Sequence, residues 1–123
     1  MEVRSARPAE LPDVMSVLDG ALLAVDADRV GERITEGGVL VATVDGRVLG
    51  ACVLADDEID AIAVRRSRRG QGIGTRLVDV AADAVDGPLV VEFDRRIRPF
   101  YDALGFVSRP TADPDRLRGR CER

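Results

Sequence analysis

A basic, glycine-rich turn limits what this chain can fold into more than any other feature. Residues 64–75 read Val-Arg-Arg-Ser-Arg-Arg-Gly-Gln-Gly-Ile-Gly-Thr. Before the turn, residues 59–64 are apolar apart from Asp60 and of strand length. After it, Ile73, Leu77, Ala81 and Val85 recur at helical spacing. A strand that feeds a helix in this way belongs to a layered α/β protein. The first turn of the helix offers unpaired N–H groups and a partial positive charge. Glycines let the backbone approach a ligand, and the arginines add charge, so the segment reads as a cradle for a pyrophosphate. Two other phosphate cradles do not fit. The dinucleotide fingerprint requires G-x-G-x-x-G, whereas Gly70, Gly72 and Gly74 give G-x-G-x-G with Thr75 next. The P-loop requires a lysine, and the chain has none.

All 18 basic residues are arginine, set against 22 acids for a net charge of −4, and there is no histidine. Schiff-base lysine chemistry and histidine acid–base catalysis are thereby excluded. A zinc site lacks its usual ligands, so no metal is expected. The net acidity argues against nucleic acid as a partner. A lysine-free chain rich in Asp, Ala, Val and Gly suggests a GC-rich genome and a halophilic source, where surface acids keep a protein soluble. No apolar run approaches the ~20 residues of a membrane helix. Met1-Glu2-Val3-Arg4 lacks the start of a secretory signal. The expected setting is cytoplasmic, with no membrane partner. Cys52 stands in an apolar stretch and reads as an inert buried thiol; Cys121 reads as incidental.

A length of 123 residues fits one domain. Residues 3–5 suggest a short strand, and Pro8 and Pro12 stand where a helix begins. Leu11, Val14, Met15, Leu18 and Leu22 form one helical stripe, and a second helix is expected over residues 27–36, ended by Gly37-Gly38. Residues 39–44, 47–54 and 59–64 read as a meander, with Asp45-Gly46 as a two-residue hairpin turn. Gly87-Pro88 ends the helix that follows the glycine turn. A strand over residues 89–93, a short helix over 99–104 and a last strand starting near 105–107 complete a single domain, residues 1–109. Residues 110–123, rich in Pro, Asp and Arg, are expected to form a loosely ordered tail. The expected fold class is α/β: a mixed sheet with helices on both faces, containing one parallel pair across a strand–helix–strand crossover.

Arg69, Gly72 and Gly74 fill the pattern [R/Q]-x-x-G-x-[G/A], which resembles the acyl-CoA signature of the GNAT superfamily of N-acetyltransferases. Ile62-Ala63-Val64 resembles that family's fourth strand. Pro99-Phe100-Tyr101-Asp102-Ala103-Leu104-Gly105-Phe106 resembles its late F-Y-x-x-L-G-F segment. The close match covers residues 58–107; residues 1–57 agree in pattern only. One departure concerns an asparagine that the family often carries before the helical tyrosine. Here the matching region is Phe93-Asp94-Arg95-Arg96, and a carboxylate cannot donate as an amide does.

The resemblance implies a mostly antiparallel sheet whose parallel fourth and fifth strands splay apart to admit the pantetheine arm of CoA. Ile62, Ala63 and Val64 would line that arm. Arg69, Gly70, Gln71, Gly72, Ile73, Gly74 and Thr75 would hold the pyrophosphate. Arg65, Arg66 and Arg68 are candidates for the 3′-phosphate. The implied co-substrate is acetyl-CoA, with no metal, and the partner is an amine acceptor, small molecule or protein. A strand N–H near Ala63 or Val64 would polarise the thioester, Tyr101 would protonate the leaving thiolate, and Glu58 would act as base. Asp60 is a second candidate base, since alternation along the strand sets residues 58, 60 and 62 on one face. The acidic stretch Asp26, Asp28, Glu32 and Glu36 would suit a cationic amine. A catalytically idle acyl-CoA-binding sensor or interaction module is the competing reading. The resemblance also admits a homodimer, which the residues leave open.

Overall fold

The computed structural model describes residues 1–21 and 25–122. In chain order it comprises β1 (Glu2–Ser5), α1 (Leu11–Gly20), α2 (Ala27–Thr35), β2 (Val39–Val44), β3 (Arg47–Ala55), β4 (Glu58–Val64), α3 (Ile73–Ala84), β5 (Leu89–Asp94), α4 (Arg98–Ala103), β6 (Val107–Pro110) and β7 (Arg116–Cys121). The strands form one sheet in the order β1-β2-β3-β4-β5-β7-β6. All neighbours run antiparallel except β4 and β5, which are parallel across the α3 crossover. The Asp45-Gly46 turn adopts positive φ at both residues, 52° and 78°, the twist that a two-residue hairpin demands.

Alternation along β2 sends Val39 and Val41 to one face and Leu40 and Ala42 to the other. Val14, Val17 and Leu18 of α1 and Val30 and Ile34 of α2 bury against the first face. Leu77, Val78 and Ala81 of α3 bury against the second, with Leu89, Val91 and Phe93 of β5. Helices therefore cover both faces. Leu22, assigned to the α1 stripe, lies outside the described residues.

The expectation of a loose tail is corrected. Residues 110–123 contain β7, a strand inserted between β5 and β6 and paired with both. The residue types explain why it was not seen. Of its three inward positions, Leu117, Gly119 and Cys121, only one is a large apolar residue. Gly119 is required by close approach: a Cβ there would lie 3.0 Å from the Phe93 ring and 3.2 Å from that of Phe106. The alternation Arg116, Arg118, Arg120 outward is the period-two signal that marks the strand. Residue 109 falls inside β6 rather than at a domain edge. Cys121 is accordingly buried.

Candidate active site

β4 and β5 are paired only at Glu58–Val90 and Ile59–Val91. Beyond Ile59 they part. One cause lies in β4 itself: Val53 and Leu54 of β3 face Ala61 and Ile59, so Asp60 is an extra residue, a β-bulge. The bulge breaks the alternation expected for residues 58, 60 and 62. Ile59 and Ile62 pack on the α3 side. Ala61 and Ala63 pack on the α1–α2 side. Asp60 also lies there, its Oδ2 3.4 Å from Arg29 Nη2.

The parted strands open a cleft of about 540 Å³. Its floor is Ile62, Ala63 and Val64, and one end is the glycine turn with Arg68, Arg69, Gly70, Gly72, Ile73, Gly74 and Thr75. Ala21, Ile97, Phe100 and Tyr101 close the sides. Of the residues singled out from sequence for the pantetheine arm and the pyrophosphate, only Gln71 does not line the cleft. Ile97 was missed; it is 48% exposed, and an apolar side chain left in solvent beside a cleft was its signal. Phe100 packs against the core and also walls the cleft.

The turn is built to leave donors free. Gly72 caps α3 with φ +80° and no side-chain cap, and the next positive φ is at Gly70, +78°. Only glycine adopts this conformation without strain. The first helical bond runs from Arg76 N–H to the Gly72 carbonyl at 3.0 Å. The N–H groups of Ile73, Gly74 and Thr75 therefore have no partner within the helix. Arg69 folds back so that its Nε donates to the Val64 carbonyl at 3.3 Å, tying the turn to β4. Arg65 turns the other way, its Nε donating to Val48 at 2.8 Å. With Arg66 it faces a separate hollow beside α1, so of the three arginines considered for the 3′-phosphate only Arg68 reaches the cleft. An uncapped helix start between arginines, at the end of an apolar slot, has the donor set and charge that a pyrophosphate with a long uncharged arm requires.

Tyr101 is 1% exposed. Its ring stacks on Phe93 at 4.4 Å and meets Phe100 and Phe106 edge-on at 5.0 and 5.2 Å. Burial, with the nearby Cys52 thiol second, pushes the phenol above its ordinary value of 10. Burial likewise raises Cys52 to about 12, which makes it an unreactive thiol. Asp94 sits where the family often has asparagine, but its carboxylate accepts from Arg96 N–H at 2.8 Å and pairs with the Arg96 guanidinium. Those bonds hold it down at about 2 and occupy it in capping the turn after β5. Glu58 stands at the closed end of the strand pair, outside the cleft lining. Arg118 of β7 binds Glu58 at 3.0 Å and Glu92 of β5 at 3.2 Å. No group of acids and cysteines able to hold a metal occurs among the described residues.

A splayed parallel pair in a mixed sheet, opening onto an uncapped glycine turn, defines a class of proteins that take the acyl group of an acyl-CoA. Residues 35–108 match the family model of the acetyltransferase (GNAT) domain. The chain belongs to that family, the GNAT N-acetyltransferases, and acyl transfer from acyl-CoA is their reaction. Comparison with curated proteins returns no match. Among solved structures, Rv2747 of Mycobacterium tuberculosis, in complex with CoA, is 21% identical with a TM-score of 0.78, covering 100% of this chain and 99% of its own. A GNAT-family acetyltransferase from Bacillus cereus is 14% identical at a TM-score of 0.86, covering 99% and 96%. The PaiA N-acetyltransferase of Thermoplasma acidophilum, in complex with coenzyme A, is 14% identical at 0.79, covering 99% and 98%.

Proposed function

We propose that the protein moves an acetyl group from acetyl-CoA to a primary amine by direct attack. The observation that carries this reading is the parting of β4 and β5 directly above an uncapped, arginine-flanked helix start. Relatives solved with CoA support the same assignment of the cleft.

Each residue has a role in that reading. The N–H groups of residues 70–75, with Arg68 and Arg69, hold the pyrophosphate; the freed edge of β4 at Ile62, Ala63 and Val64 pairs with the pantetheine arm. A β4 N–H near Ala63 or Val64 stabilises the oxyanion of the tetrahedral adduct. Glu58, at the apex of the split, takes the proton that makes the amine nucleophilic. Tyr101 acts by hydrogen bonding. A thiol titrates near 8.5 and the buried phenol above 10, so outright loss of its proton to sulfur runs uphill by about 2 kcal/mol or more. Donation of a hydrogen bond to the departing sulfur carries no such penalty. The proton that ends on sulfur then comes from the attacking nitrogen.

A cytoplasmic setting belongs to the same proposal; two buried free cysteines accord with a reducing compartment. The salt-adapted source inferred from composition stays part of the proposal, as does the homodimer. The test is thiol release from acetyl-CoA in the presence of amino acids, polyamines and peptides with free N-termini, with the acetylated product confirmed by mass. Amine-dependent release supports the transferase. Tight acetyl-CoA binding with no turnover of any amine favours the idle sensor.

A further inference from the structure

We infer that the acceptor is a small amine carrying a carboxylate, of α-amino-acid type, recognised by Arg29 and Asp60 in a second cavity across β4. The inference rests on the transferase reading above. That cavity measures about 290 Å³ and is lined by Val25, Asp26, Arg29, Val30, Val53 and Asp60. Its size suits an amino acid and is small for a larger ligand.

The bulge puts it in the right place. Asp60 is the first β4 residue past the last pair with β5, and its side chain is turned to the α2 face. The cleft floor turns Ile62 to the α3 face and Ala63 to the α1–α2 face. The second cavity therefore lies on the α1–α2 face of β4, just beyond the point where the sheet opens, and the cleft reaches through the gap to that face. An amine seated beside Asp60 can meet a thioester lying in the gap.

The charges set the class. The acids of α2 do not face this cavity as a group. Asp28 and Glu32 are exposed, on the side of the helix away from buried Val30 and Ile34. Asp26 spends its carboxylate capping α2, accepting from Asp28 N–H at 2.9 Å. The unlike pair Arg29–Asp60 remains, between three valine walls. It fits an ammonium and a carboxylate on one small molecule, the ammonium at Asp60 and the carboxylate at Arg29, with an apolar side chain against Val25, Val30 and Val53. In the transfer, the ammonium gives one proton to Glu58, the C–N bond forms and the C–S bond breaks. Of the two protons left on nitrogen, one goes to sulfur and one stays on the amide, which leaves an N-acetyl amino acid and CoA thiol.

The test compares leucine with isoamylamine, its decarboxylated counterpart, as acceptors, after calorimetry has established acetyl-CoA binding. Wild type is expected to favour leucine in kcat/KM by about tenfold or more, the scale of a charge-assisted hydrogen bond. In Arg29→Gln that ratio collapses towards one, through KM for leucine. Arg33→Gln, one turn along and paired with Glu36 at 3.1 Å, keeps the ratio. Equal use of both acceptors by wild type, or a ratio unchanged in Arg29→Gln, overturns the inference while leaving the transferase reading in place. Turnover of peptides or polyamines but of no amino acid does the same. Failure to bind acetyl-CoA overturns both.

Discussion

Replacing Tyr101 by phenylalanine separates its part in the core from its part in the reaction. The ring sits against three others at 4.4, 5.0 and 5.2 Å, and Phe keeps all of these contacts. Truncation to alanine would remove them and cost about 3–5 kcal/mol, confounding any kinetic reading. The phenylalanine variant loses only the hydroxyl, so unfolding stability is expected to change by less than about 1 kcal/mol. What disappears is one hydrogen bond to a developing thiolate. Bonds to charged groups contribute about 1.5–3 kcal/mol. At 1.36 kcal/mol per decade, kcat falls about ten- to a hundredfold, with acetyl-CoA affinity held. The assay is steady-state thiol release, with urea unfolding and an acetyl-CoA titration on the same preparation. Because burial raises the phenol above 10, the pH profile of wild type carries no tyrosine limb below that value. An unchanged kcat in Tyr101→Phe refutes the role and leaves Tyr101 a core residue.

Other consequences are sharper for fold than for chemistry. Glu58→Gln should lower kcat/KM about a hundredfold or more, read in the same thiol assay. Gly119→Ala should destabilise the protein by about 1–3 kcal/mol in urea unfolding, because the added Cβ lies 3.0 Å from the Phe93 ring. Glu10 is gripped by both terminal nitrogens of Arg4, at 2.7 and 2.8 Å, and that bond lowers it from 4.5 to about 2. A depressed carboxylate stabilises the fold above its unfolded value, and that contribution is lost as pH falls from about 4.5 towards about 2. Wild type should therefore exceed Glu10→Gln in stability at pH 7 by about 1–2 kcal/mol and lose the margin on acidification, as followed by urea unfolding at stepped pH.

The parts legible in the sequence are those set by local chemistry. Glycine spacing and flanking arginines announce the uncapped start of α3, and the Asp45-Gly46 turn announces its hairpin. Long-range geometry was not legible. The Asp60 bulge arises from pairing with β3, and no residue type in Ile59-Asp60-Ala61 signals it, so strict alternation kept Asp60 on its face but misplaced Ile62, which lies on the α3 side. β7 hid because two of its three inward positions hold a glycine and a cysteine, and Gly119 is set by the Phe93 and Phe106 rings against it rather than by hydrophobicity. The division of labour among the arginines was equally hidden, since direction depends on partners. Arg65 is claimed by the Val48 carbonyl and Arg118 by two acids on two other strands.

The central claim is that the cleft between β4 and β5 is an acyl-CoA site built on the glycine turn. Calorimetric titration with acetyl-CoA, at low and at molar salt, measures it directly, with wild type set beside an Arg69→Ala, Gly72→Ala double variant. Micromolar binding to wild type that weakens at least tenfold in a still-folded double variant is the predicted result. Absence of binding by wild type in both buffers, or equal binding by the double variant, contradicts the account.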